Sequence, residues 1–109
     1  MADDPVFVYI ANRVQGNTTF GGHLVATRSR LAFTPTPDNQ ELGGHHWSAD
    51  LSDVQEVATK ARTWGLKDGG IRTRLRITMN DDELFVVYKA GRAAAELSSL
   101  LADRETTQP

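Results

Sequence analysis

A chain of 109 residues with 39% apolar and 24% charged side chains can build one hydrophobic core and is too short for two. Twelve basic against fourteen acidic residues leave a net charge of -2, without the basic surplus of generic polyanion binders, so no nucleic-acid partner is expected. With no cysteine there is no disulfide, thiolate nucleophile or cysteine zinc site.

The N-terminus lacks the basic start and apolar run of a signal peptide, and no stretch approaches the ~20 apolar residues of a membrane span. A cytoplasmic protein is therefore expected, with any membrane contact peripheral. Apolar residues are spread from Val6 to Leu101, which predicts a single domain over 1–109 with an ordered core of about 6–102 and loose tips at 1–4 and 103–109.

In chain order, Val6 to Ala11 mixes β-branched and aromatic residues and reads as a first strand extending toward Val14. Gln15 to Thr19 reads as a turn. His23–Thr27 and Arg30–Thr34 then form a hairpin, joined by an Arg28-Ser29 connection that is poor chemistry for the tight primed turns. Pro35 and Pro37 cannot donate ladder hydrogen bonds and end that strand. Asp38 to His45 is read as a polar loop, and His46 to Asp50 as a fourth strand. Leu51, Val54 and Val57 recur at spacing three, which a helical turn or a bent strand produces equally; a bend followed by a strand over 57–61 is the reading adopted.

Thr63 to Leu66 is a further strand candidate, closed by Lys67 to Gly70. From Ile71 to Met79, Ile71, Thr73, Leu75, Ile77 and Met79 alternate with Arg72, Arg74, Arg76 and Thr78, predicting one buried and one wet face. After the turn at Asn80 to Glu83, Leu84 to Tyr88 is apolar on both faces and is expected to be covered on both. Ala93, Leu97, Leu100 and Leu101 then recur at helical spacing, predicting an amphipathic helix from about Gly91 that must dock on the sheet.

The segment GGHLVATRSRLAFTP from Gly21 to Pro35, Trp47 followed by Leu51, Val54 and Val57, and the hairpin from Leu75 to Val87 together resemble the GRAM family of the pleckstrin-homology superfold, in its short stand-alone form. The resemblance implies a mainly β fold: a split barrel of six to seven antiparallel strands, open at one end and capped by one C-terminal α-helix. It is nearly silent about ligand, since some such domains bind phosphoinositides or anionic lipids and others bind peptides or proteins. The lipid-binding members carry a first-strand lysine followed by an Arg-x-Arg pair in the second strand. Arg13 with Arg28 and Arg30 imitates that signature, but the pair sits at the turn after the second strand, where the signature is not met.

From Lys60 to Arg76 six basic residues face the single acid Asp68. Arg72, Arg74 and Arg76 share one side of a strand and could grip phosphate or carboxylate; a solvated, aggregation-resistant strand face is the alternative reading. Trp64, beside Arg62 and Lys67, suits an anionic membrane interface or the interior of the sheet. His23, His45 and His46 lack metal-ligand spacing, and no nucleophile, elbow or phosphate loop is present, so no metal, cofactor or catalytic residue is expected. The expected function is a non-catalytic module that holds a protein partner or a second copy on its sheet surface or open barrel end. The alternative is peripheral binding of anionic lipid headgroups through Arg62, Trp64, Lys67, Arg72, Arg74 and Arg76.

Overall fold

The computed structural model describes residues 4–16, 18–60 and 73–107. Seven strands are described: β1 (Phe7–Gln15), β2 (Thr18–Ala26), β3 (Arg30–Pro35), β4 (Trp47–Asp50), β5 (Glu56–Lys60), β6 (Arg74–Thr78) and β7 (Asp82–Val87). A short helix α1 (Pro37–Glu41) follows β3, a 3-10 turn (Leu51–Asp53) follows β4, and helix α2 (Ala90–Thr107) follows β7. All neighbouring strands are antiparallel, in the order β4-β3-β2-β1-β7-β6-β5. This is the mainly β, split-barrel architecture anticipated above, with the first and last strands joined at its centre and β4 and β5 as its two ends.

The alternation within the strands explains the core. Ala11, Phe20, Leu24, Ala26, Leu31, Phe33, Val57, Leu75, Ile77, Phe85 and Val87 are all buried, and each sits at an inward position of its strand. Phe85 anchors the centre, its ring 5.6 Å from that of Phe33 and 5.4 Å from that of Trp47. Helix α2 packs on β5, β6, β7 and the 3-10 turn. It buries Ala93, Leu97, Leu100 and Leu101 in the same cluster, as its spacing requires, and the Ser98 hydroxyl donates to the Val57 carbonyl at 3.0 Å.

Several details depart from expectation for local reasons. β2 begins at Thr18 and runs through Gly21 and Gly22; a side chain at Gly22 would overlap the Thr34 carbonyl oxygen of β3, so glycine here allows a close strand approach. The β2–β3 turn stays tight without glycine because the Thr27 hydroxyl accepts from the backbone N–H groups of Ser29 and Arg30, at 3.2 and 3.1 Å. The expected polar loop contains α1, whose Thr36 cap accepts from Asn39 N–H and whose first position is Pro37. The strand expected over 57–61 starts at Glu56, and the bend before it is the 3-10 turn. Helix α2 runs from Ala90 to Thr107, starting one residue before the expected Gly91. The strand candidate Thr63 to Leu66 lies outside the described residues.

Candidate functional site

Of the basic set singled out in the sequence, Arg62, Trp64, Lys67 and Arg72 lie outside the described residues. The other two do not form the wet arginine row that alternation suggested. Arg74 is 1% exposed, so the expectation of a solvated face is corrected there: period two assigns a side chain to a face and cannot say whether that face is covered. Arg76 is half-buried, and its Nη2 lies 3.4 Å from Glu56 Oε1 on the neighbouring β5. Such an exposed pair adds little stability, yet it offsets the charge of Arg76 toward an incoming anion.

Arg13, the other residue suggestive of lipid binding, is also engaged. Its Nε lies 3.0 Å from Glu83 Oε1 in a largely buried pair, and Nη1 donates to the His45 carbonyl at 3.3 Å. Asp82 joins Glu83 beside it, lining a cleft of about 320 Å³. This region is therefore a poor receptor for phosphate. The three histidines are exposed, with His23 on β2 and His45 and His46 ahead of β4. No group of three or more acidic or imidazole side chains among the described residues is arranged to hold a metal ion.

Unclaimed apolar surface lies elsewhere, on the outer side of β1 and the end of β7. Val8 is 57%, Ile10 81% and Tyr88 84% exposed, and Val6 adds to the strip. The half-buried Val14, Val25, Leu84 and Val86 continue it on β1, β2 and β7. The outward positions of β1 and β2 carry Val8, Ile10, Asn12, Val14, Thr19, Gly21, His23 and Val25, with no acid, lysine or arginine among them. A solvated antiparallel face ordinarily alternates apolar-in with polar-out; here the outward row of β1 is mostly aliphatic.

The N-terminal half of β1 is open in a second sense. β7 pairs with β1 only at Ala11, Asn12 and Arg13, because the chain leaves the sheet at Tyr88 and turns through Lys89, which takes left-handed backbone (φ 55°), into α2. Phe7 to Ile10 therefore have β2 on one side and no described strand on the other. That edge borders a cleft of about 380 Å³ lined by Val6, Val8, Tyr9, Tyr88, Lys89, Arg92 and Glu96. On its α2 side the Tyr9 hydroxyl donates to Glu96 Oε1 at 2.9 Å, and Arg92 Nε lies 3.6 Å from Glu96 Oε2. Burial pushes the Tyr9 phenol far above its usual range, and the hydrogen bond to Glu96 and the charge of that carboxylate act in the same direction. Tyr9 thus remains a donor that ties β1 to α2.

The sequence contained a trace of this surface. Val6, Val8 and Ile10 alternate with Phe7, Tyr9 and Ala11, so the first strand is apolar on both faces. For Leu84 to Tyr88 the same pattern predicts cover on both sides. The structure buries Phe85 and Val87 and leaves Tyr88 exposed, because the turn into α2 begins there.

No helix among the described residues is long and apolar enough to cross a membrane. No protein-family model matches the chain. No curated protein matches it either. Among solved structures, the crystal structure of the C-terminal domain of an unknown protein from Leishmania infantum is similar, with a TM-score of 0.70 at 16% identity over 92% of this chain and 85% of that one. At that identity the likeness concerns the fold alone.

Proposed function

We propose that this chain is a non-catalytic, GRAM-type interaction module that binds protein through the outer face of β1 and the β7–α2 turn. The observation that carries the reading is the uncharged strip of Val8, Ile10 and Tyr88, each more than half exposed. Contiguous apolar surface of this kind marks interaction sites, and aromatic anchors such as Tyr88 supply much of the energy when buried by a partner. The lipid reading draws less support from the described residues, since Arg74 is buried and Arg13 and Arg76 are each held by a glutamate.

A photo-crosslinking amino acid placed at Ile10 or at Leu42 in cells that make the protein tests the proposal. Leu42 is also exposed, at 75%, but is remote in sequence from the strip and follows α1. Protein adducts from position 10 and none from position 42 are expected. No adduct at position 10, together with salt-sensitive co-sedimentation on acidic vesicles that is lost when Arg62, Lys67 and Arg72 are neutralised, would favour the lipid reading.

A further inference from the structure

The outward rows of β1 and β2 hold a single titratable side chain, and it stands beside the apolar strip. His23 is exposed and pairs across the ladder with Ile10, the most exposed aliphatic of that face. Its partner on the other side is Thr34 of β3. Diagonal to it are Val8 and Asn12 on β1 and Ala32 on β3, and two positions away along β2 stand Gly21 and Val25. None of these residues is an acid or a base.

Charge on the neighbouring elements is held elsewhere. Arg13 of β1 belongs to the opposite row and is paired with Glu83. Arg30 and Asp50 face each other across β3 and β4, four residues along β3 from Thr34. Helix α1, packed on β2 and β3, carries the exposed Asp38 and Glu41 but brings the neutral Asn39 beside Gly21. His46, one residue before β4, borders a cleft of about 200 Å³ with Ala32 and Thr34.

Histidine is the side chain whose ordinary titration falls between about pH 5 and 8. Under a partner lying over Ile10, a charged imidazole at position 23 would lose its water and find no acid in its own rows to replace it, and such a charge is costly to cover. The neutral ring carries no such penalty. Resting on the interaction-module reading above, we infer that His23 is a proton-operated switch on this face, which holds its protein partner while the imidazole is neutral and releases it when the ring gains a proton. The sign follows from linkage: the covered state favours the proton-free ring, so affinity is complete above the ordinary histidine range and falls as pH drops through it, with one proton taken up for each partner released.

Photo-crosslinking from position 10, in extracts of the cells that make the protein buffered at about pH 7.5 and about pH 5.5, tests this with adduct yield as the readout. An ordinary histidine is about nine-tenths charged at the lower value, so the wild type is expected to give about tenfold less adduct there. His23→Gln, which cannot be charged, is expected to give the same yield at both. His23→Lys, charged throughout, is expected to fall about tenfold already at the higher pH. His46→Gln is expected to keep the dependence of the wild type. Melting curves at both pH values that match the wild type show that each variant is folded. A wild-type yield indifferent to pH, a dependence equally steep in His23→Gln, undiminished capture by His23→Lys, or a dependence abolished by His46→Gln would each overturn the inference. Wild-type adducts absent at both pH values would remove the interaction module and the switch together, whereas adducts that persist at both would remove only the switch.

Discussion

Two outward strand faces in this sheet have exchanged the roles their side chains would suggest. On β6 the charged Arg74 points away from the core and is buried; on β1 the aliphatic Val8 and Ile10 point away from the core and are exposed. Both belong to the row opposite the core residues of their strand, so alternation treats them alike. What separates them is cover, which the alternation along a strand does not report. The arginine therefore belongs to the stability of the domain and the aliphatics to its surface.

The inner faces of the same strands provide the reference for testing that contrast. Leu75→Ala on β6 empties a fully buried site and is expected to cost about 2–5 kcal/mol in urea unfolding. Arg74→Ala, one position earlier, is expected to cost on the order of 2 kcal/mol, because a buried guanidinium and its stem contribute packing as well as charge. An effect below about 0.5 kcal/mol would place Arg74 with ordinary surface residues and break the contrast.

Tyr9→Phe is expected to cost about 1 kcal/mol by removing the hydroxyl that holds Glu96. This term has a defined pH dependence. The phenol is raised in the folded state, so its contribution is complete below the unfolded value of about 10 and declines as pH rises beyond it. Wild type should therefore lose stability above about pH 10 more steeply than the phenylalanine variant, and parallel curves would count against the linkage. The smallest effect is expected at Ile10→Thr, within about 0.5 kcal/mol at low protein concentration despite the size of the deleted group. A larger cost would show that something in the monomer already covers Ile10.

Much of the fold could be read from the residues. Period-two alternation identified the strand that holds Leu75 and Ile77, and the leucines of α2 sit at inward positions as their spacing demanded. Alternation is a local property, which is why it worked. Helix α1 went unread because its five residues are too few to show a period; its signal was the cap Thr36 followed by Pro37. The site was less legible. Whether Arg74 is covered, whether Arg13 finds Glu83 seventy positions away, and where β7 leaves β1 unpaired are all facts of tertiary arrangement. A strand apolar on both faces is compatible with a buried strand and with a sticky one, and only the path of the chain after Val87 separates the two.

The pairing of β1 with β7 also sets an order of events. The β1–β2 and β2–β3 hairpins join near neighbours in sequence, whereas Ala11 meets Val87 only after nearly eighty residues have intervened. Contacts of such separation form late, since loop closure must be met before they reward it. A growing polypeptide would therefore hold its first meander with the greasy side of Leu24 and Phe33 uncovered until the final strand and helix emerge. During that interval it would be most dependent on chaperones, and a lesion near Phe85 should show itself first as poor yield of the newly made chain.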